Sequence, residues 1–240
     1  MCSSDLVARA HRLLRDATAR FEVMHVPPMA AADVADLLAP AFDGYEQMAT
    51  DDRDYLARAV QALTDGRASY IRALGEAMAQ MGGTADPVGA LTGLMSAEGA
   101  LNHWCCFCYE LRLHRARGYG ALKAILDILA HEEPMTLTEI SQRLHRTPGS
   151  TKDYLSWLED VDLVTSRQKR YSFTDPLLRL WVRLHCRPVA PTADEVAREV
   201  QRYAVMRLPQ ADPVPVLAYA GAGADASPDE RKSWGIIEID

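Results

Sequence analysis

The chain lacks the segments that would place it in a membrane or in the secretory pathway. Its 240 residues contain no apolar run near the roughly 20 residues that a transmembrane helix requires. The first residues, Met1 to Asp5, lack the basic region and the apolar stretch of a secretory signal. The sequence therefore predicts no contact with a membrane.

Cysteine is too scarce and too clustered to form a disulfide framework. There are five cysteines, an odd number, and Cys105, Cys106 and Cys108 lie in one short segment. We therefore expect a reducing, cytoplasmic environment. A zinc site needs four ligands, usually from paired cysteines in a turn, whereas these three lie in a helical run between Leu101 and Leu113. Helical spacing puts Cys105 and Cys108 on one face and Cys106 on another, which predicts buried packing and no metal.

Lysine is rare, and its positions exclude one large class of enzyme. Only four of the 26 basic residues are lysine, and none of the four follows a glycine. The chain therefore lacks the G-x-x-x-x-G-K-[ST] loop that cradles phosphates in ATP-hydrolysing enzymes. The histidines are scattered without an acidic or nucleophilic partner at a suitable spacing, so no catalytic residue is predicted.

The net charge excludes a protein that coats nucleic acid with its whole surface. The formal charge is −7, which leaves room only for a local basic patch. Apolar residues make up 48% of the chain and charged residues 25%, values that are typical of ordinary globular proteins.

The segment from Gly118 to Cys186 has the order of helices and strands that is typical of a winged helix. Apolar residues at helical spacing predict a helix over 121–130, and Thr136 or Thr138 caps a second over 139–144. Thr147 and Pro148 predict the cap and first residue of a third helix, which ends near 158. The alternating segments 163–165 and 171–173 then predict a β-hairpin wing. This order is that of DNA-binding winged helices.

Basic residues of this segment identify a candidate DNA-binding surface. In a winged helix the third helix enters the major groove and the wing contacts phosphates. The candidate contacts at the third helix and on the wing are Arg146, Ser150, Lys152, Arg167, Lys169 and Arg170. Eight basic and five acidic residues lie between Arg146 and Arg187, a formal excess of three. Because this excess is modest, a packing or protein-docking role stays open beside DNA contact.

Helical segments precede and follow the winged helix. Helices are predicted over 6–20, 31–42, 51–63 and 68–81, the third capped by Thr50 or Asp51, with a strand over 21–26. A long helical region over 87–115 is predicted to break near Gly99. Asp175 and Pro176 predict a further helix start, and another helix begins at Thr192 or Ala193 and ends at 208. Residues 209–230 are typical of a mobile linker, and 234–240 of a short strand.

Three stretches of the sequence match the signature of a known family. They are a sensor-like turn and strand over 2–4 and 20–29, a lid signature over 63–74 with Ala68 in place of the usual proline, and the run 171–181, which fits "Y-x-f-x-D-P-x-l-r-x-W". In these features the chain resembles the archaeal-type ATPases, which belong to the AAA+ and signal-transduction (STAND) group of P-loop NTPases. The last stretch is the most specific of the three.

The resemblance implies that the chain spans the C-terminal two-thirds of such an ATPase and lacks its catalytic core. The implied parts are a core remnant (1–20), a helical lid-like subdomain (21–115), a winged-helix domain (116–188), a C-terminal helix (189–208) and a flexible tail (209–240). The fold class is thus mainly α, a helical lid subdomain followed by a winged helix-turn-helix domain with a small β-hairpin wing.

The implied function is that of a noncatalytic lid and winged-helix portion, a regulatory or docking module that is not an enzyme. Arg20 and Arg67 would contact nucleotide only where a P-loop core is supplied. ATP and magnesium are implied for a full-length relative, and no cofactor for this chain. The expected partners are duplex DNA, a P-loop ATPase core or another protein. The alternative is a stand-alone winged-helix DNA-binding transcriptional regulator.

Overall fold

The computed structural model describes residues 26–42, 44–82, 85–113 and 118–209. Among these residues, the helices before the winged helix are α1 (Ala31–Ala41), α2 (Thr50–Thr64), α3 (Ala68–Gln80), α4 (Pro87–Met95) and α5 (Ala100–Leu113). The elements that follow are α6 (Tyr119–His131), β1 (Met135–Thr136), α7 (Leu137–Arg143), α8 (Pro148–Asp160), β2 (Val164–Arg167), β3 (Arg170–Phe173), α9 (Pro176–His185) and α10 (Ala193–Val205). The prediction of a mainly helical fold with a winged helix is confirmed.

Side-chain caps explain where three of these helices begin. The Thr147 hydroxyl accepts from the backbone N–H of Ser150 (3.4 Å), and Pro148 takes the first helical position of α8. The Asp175 carboxylate accepts from the N–H groups of Leu177 (3.0 Å) and Leu178 (3.2 Å) at the start of α9. A capping box opens α10 at Thr192. These starts confirm the predictions made from the cap residues.

The predicted cap of α2 is wrong. Ala49 occupies the N-cap position, and no side chain caps the helix. Thr50 is already helical, and its hydroxyl accepts a hydrogen bond from the Arg53 guanidinium (3.4 Å). The first turn is stabilised instead by Asp51 and Asp52, whose negative charges interact favourably with the positive end of the helix dipole.

Gly99 ends the turn that separates α4 from α5, at the predicted position. A β-carbon on this residue would lie 2.1 Å from the carbonyl oxygen of Leu94. Only glycine can approach the end of α4 so closely. The chain therefore reverses between two helices instead of continuing as one.

The sheet of the winged helix has three antiparallel strands in the order β1-β3-β2. Met135 pairs with Tyr171, and Arg167 pairs with Arg170 at the far end of the hairpin. The strand β1 was not predicted, because two residues are too few to reveal an alternating pattern.

The helix α9 joins the N-terminal helices to the winged helix. It packs against α2, α5, α6, α10 and β3, and six of its ten residues are buried. The Trp181 indole donates to Asn102 on α5 (2.7 Å), and the His185 ring bonds the Met95 carbonyl (2.9 Å). Residues before and after position 115 thus contribute to one hydrophobic core. The boundary between a lid-like subdomain (21–115) and a winged-helix domain (116–188) stays a prediction.

Several predicted elements fall on segments that are not described. The helix over 6–20 and the strand over 234–240 lie outside the described residues, as do most of the strand over 21–26 and all of the linker over 209–230 except Pro209. In the ranges that are described, no helix combines the length and the apolar character that crossing a membrane requires.

Candidate nucleic-acid interface

The turn between α7 and α8 fixes the helix-turn-helix. The N–H of Arg146 bonds the Ser141 carbonyl (3.1 Å) and that of His145 bonds the Gln142 carbonyl (3.2 Å), which forms a Schellman motif. His145 takes the left-handed conformation (φ 53°) where glycine is the usual residue. The backbone hydrogen bonds thus set the direction in which α8 leaves the turn.

The helix α8 buries one face and leaves the other to solvent. Thr151, Leu155 and Leu158 are buried, whereas Lys152 and Asp153 are exposed. One buried face and one exposed polar face are typical of a recognition helix, whose polar face can enter a groove of DNA. The exposed face therefore carries one cation and one carboxylate.

Tyr154 connects α8 to the beginning of the winged helix. A β-carbon on Gly118, whose φ is +83°, would lie 2.5 Å from the Tyr154 ring, so only glycine allows this approach. The Arg146 guanidinium lies over the same ring, 5.7 Å from its centroid. Arg146 is exposed, so this contact orients its charge at the entrance of α8.

The wing ends in a two-residue turn that holds three exposed cations close together. Gln168 (φ 52°) and Lys169 (φ 62°) both take the left-handed conformation, as the tight hairpin turn with two positive φ values requires. Arg167 and Arg170 face each other across the base of this turn. The side chains of Arg167 and Lys169 have no ion pair or hydrogen bond within the described residues.

The other candidate DNA-binding residues of α8 and the wing form hydrogen bonds within the protein. Lys152 Nζ donates to the Tyr171 hydroxyl (3.0 Å), a bond that raises the pKa of the lysine, and lies 3.7 Å from Glu159. Arg170 donates to the Pro134 carbonyl (3.1 Å), which ties the wing to the chain before β1. The Ser150 hydroxyl bonds the Thr147 carbonyl (3.1 Å) in the first turn of α8.

Three arginines that contribute to the predicted excess of positive charge are paired with carboxylates. Arg179 pairs with Glu133 (3.3 Å), Arg183 with Glu199 (2.9 Å) and Arg187 with Glu195 (3.6 Å). Burial raises the pKa of the Glu133 carboxyl against the opposing effects of Phe173 N–H and Arg179. These pairs attach α9 to its neighbours, so the usable positive charge lies at the turn before α8 and on the wing.

The N-terminal helices reach the winged helix through Asp175. The Tyr70 hydroxyl donates to Asp175 Oδ2 (2.6 Å). Burial is the main cause that raises the pKa of Tyr70, and the negative charge of Asp175 raises it further. The Arg67 guanidinium donates to the Thr174 carbonyl (2.8 Å) and lies 3.7 Å from Asp175. Arg67 is thus engaged within the chain, and its nucleotide contact stays a prediction. Arg20 lies outside the described residues.

The cysteines of α5 are separated by burial in the way that helical spacing predicts. Cys105 is buried and Cys106 exposed, and Cys108 is half-buried. Burial raises the pKa of the Cys105 thiol well above its ordinary value, so the thiol stays protonated. Cys105 therefore behaves as a packing residue.

The comparisons with known proteins match the helix-turn-helix. A family model described as the IclR helix-turn-helix domain matches residues 123–168, from the first turns of α6 to the tip of the wing. No curated protein and no solved structure matches the chain. No ATPase family matches either, so the ATPase resemblance is carried by its motifs alone. Residues 123–168 form a winged-helix module of the DNA-binding type.

Proposed function

We propose that the chain is a winged-helix regulator that binds duplex DNA and carries out no catalytic step. The exposed face of α8 enters the major groove, and the wing tip contacts phosphates on the flanking backbone. The observation that carries the proposal is that Arg146, Arg167 and Lys169 are all exposed on the winged helix, of which residues 123–168 match the IclR helix-turn-helix domain.

The distribution of charge supports phosphate contact by the wing more strongly than by α8. Arg167 and Lys169 are exposed at a sharp turn and have no acidic partner within residues 118–209. A cation without an internal partner can neutralise a phosphate without first breaking an ion pair. Lys152 must exchange its Tyr171 hydrogen bond to do the same.

The residues at the start of α8 are suited to reading base edges. Lys152 and Asp153 are exposed there, and Ser150 is half-buried. A lysine donates to the guanine acceptors, a carboxylate accepts from cytosine N4, and a serine hydroxyl can do either. The proposal therefore assigns affinity to the wing and sequence preference to α8.

Fluorescence anisotropy with a labelled duplex of mixed sequence tests the proposal, because the phosphate contribution to affinity does not depend on sequence. We expect the wild type to bind at low salt and the Arg167→Ala/Lys169→Ala variant, which loses two phosphate contacts, to bind about 25- to 100-fold more weakly. Arg58→Ala is the matched control, since Arg58 is exposed on α2 and, among the described residues, bonds only the Asp54 carbonyl of its own helix. Absence of wild-type binding, or equal binding by the double variant, would contradict the proposal.

A second candidate is the lid and winged-helix portion of an AAA+/STAND-type ATPase, in which ATP and magnesium bind a P-loop core outside this chain. One contact favours it. Tyr70, from the lid signature, bonds Asp175, from the closing signature of the winged helix, across 105 positions of sequence. Two motifs that the resemblance identifies separately are thus coupled in space, as expected for a lid that moves with a winged helix.

The DNA upstream of the Met1 codon distinguishes the two candidates. An open reading frame that continues upstream in frame and encodes G-x-x-x-x-G-K-[ST] would favour the ATPase. A stop codon in frame with no such motif would exclude it and leave the stand-alone regulator.

A further inference from the structure

Three large apolar side chains are exposed along one face of α5. Trp104 is 48% exposed, Phe107 59% and Leu111 42%, and their spacing of three and four residues puts them on one stripe. We call these three residues the α5 stripe. The opposite face of the helix is buried against the core through Leu101, Cys105 and other residues.

The exposed area of the α5 stripe is that of an interaction surface. A fully exposed aromatic side chain has a surface of about 150–250 Å². At their exposed fractions, the three side chains of the stripe together present roughly 300 Å² of apolar surface to solvent. Patches of about 300–600 Å² are the largest on typical monomers and are often functional. A groove of about 730 Å³ between α3 and α4 continues from the stripe at Trp104, so the surface extends beyond α5.

From this surface we infer that the chain forms a two-fold symmetric dimer through antiparallel contact of two α5 helices. A two-fold axis between positions 107 and 108 puts Trp104 opposite Leu111 of the partner subunit, and Phe107 opposite Cys108 of the partner subunit. Every position of the seam is thus filled by an apolar side chain in both copies. A closed two-fold contact requires this kind of self-complementary surface.

The charges beside the α5 stripe agree with the same symmetry. His103 and Glu110 lie on one flank of the stripe, seven residues apart, and both are exposed. Within its own chain the Glu110 carboxylate accepts hydrogen bonds from the Tyr119 hydroxyl (2.8 Å) and Lys123 Nζ (2.8 Å), and a carboxylate can accept more than two. Antiparallel pairing brings His103 near Glu110 of the partner subunit, where an imidazole N–H can donate to the carboxylate. A parallel pairing would oppose residues of the same type, so the antiparallel arrangement is favoured.

A dimer interface of standard size would need the groove walls as well as the α5 stripe. A standard interface buries about 800 Å² on each partner, of which the centre is apolar and the rim polar. The α5 stripe supplies the apolar centre, and the groove walls with His103, Glu110 and the exposed Arg72 supply the rim. A dimer carries two helix-turn-helix motifs, as proteins that read two half-sites do.

Sedimentation velocity over about 1–100 µM protein, without DNA, tests the inference independently of the proposed function. We expect the wild type to sediment as a dimer and Phe107→Glu to raise the dimer dissociation constant at least about 30-fold. Val189→Glu is the control, because Val189 is 77% exposed and lies outside the stripe, in the segment between α9 and α10. It should leave the dimer intact, and both variants should keep the helical circular dichroism of the wild type, which shows that they fold.

Two results would overturn the inference. The first is a wild type that stays monomeric throughout this range; if the α5 stripe of that monomer also resists hydroxyl-radical labelling, another segment of the chain covers it. The second is a Phe107→Glu variant that sediments as the wild type does.

Discussion

Lys169→Gly should make the protein more stable and weaken its binding to DNA. Lys169 takes the left-handed conformation with φ 62° at the tip of the wing. A left-handed backbone costs a residue with a β-carbon about 1–2 kcal/mol, and glycine avoids this cost but loses about 0.5–1 kcal/mol more in chain entropy on folding. The expected net gain in the free energy of unfolding is about 0.5–1 kcal/mol.

The same substitution removes one cation from the wing. Losing one phosphate contact lowers the affinity for a duplex about five- to tenfold at low salt. Thermal unfolding should show a rise in Tm of about 2 °C, and anisotropy should show the weaker binding. Lys169→Arg is the control, because it keeps both the charge and the strained conformation and should change neither quantity.

Either of two results would refute this reasoning. A lower Tm for Lys169→Gly would mean that the lysine side chain stabilises the hairpin, although it has no partner within the described residues. An unchanged affinity would mean that the wing tip does not touch DNA. Because Lys169→Gly should raise Tm and lower the affinity for DNA, the two measurements distinguish a role of Lys169 in folding from a role in binding.

Two further predictions concern the contacts between the N-terminal helices and α9. Tyr70→Phe removes the hydrogen bond to the buried Asp175 carboxylate and should lower the free energy of unfolding in urea by about 1.5–3 kcal/mol, whereas an unchanged midpoint would show that the bond does not hold α3 to α9. His185 has a pKa lowered from 6.5 by burial, so the native state favours its neutral ring and stability should fall as the pH drops below 6.5. His185→Gln should lose this part of the pH dependence of Tm, and an identical pH profile for the two proteins would contradict the assignment.

Local signals in the sequence were sufficient to predict most of the winged helix. Thr147, Pro148 and Asp175 mark helix starts through their own chemistry, which acts over two or three residues and is therefore visible in sequence. The predicted cap of α2 was wrong because Thr50 and Asp51 are equally suitable as first-turn residues, and the helix begins at Thr50 with Ala49 as its N-cap. Predictions from residue preferences place helix ends only to within one or two residues.

The candidate interface was harder to predict because it depends on contacts between distant residues. The sequence identified Lys152 and Arg170 as basic residues facing solvent, but could not reveal that Tyr171 and the Pro134 carbonyl engage them. The excess of positive charge was counted along the chain, although Arg179, Arg183 and Arg187 are paired with carboxylates in the structure. Charge counts describe composition, whereas a binding surface depends on which charges remain without partners.

The salt dependence of duplex affinity tests the central claim most directly. The logarithm of the binding constant should fall linearly with the logarithm of the salt concentration, by about 0.9 for each phosphate neutralised. Removing Arg167 and Lys169 together should therefore make the slope shallower by about 1.8 relative to the wild type. Equal slopes for the two proteins would show that the wing makes no phosphate contact and would contradict DNA binding through this surface.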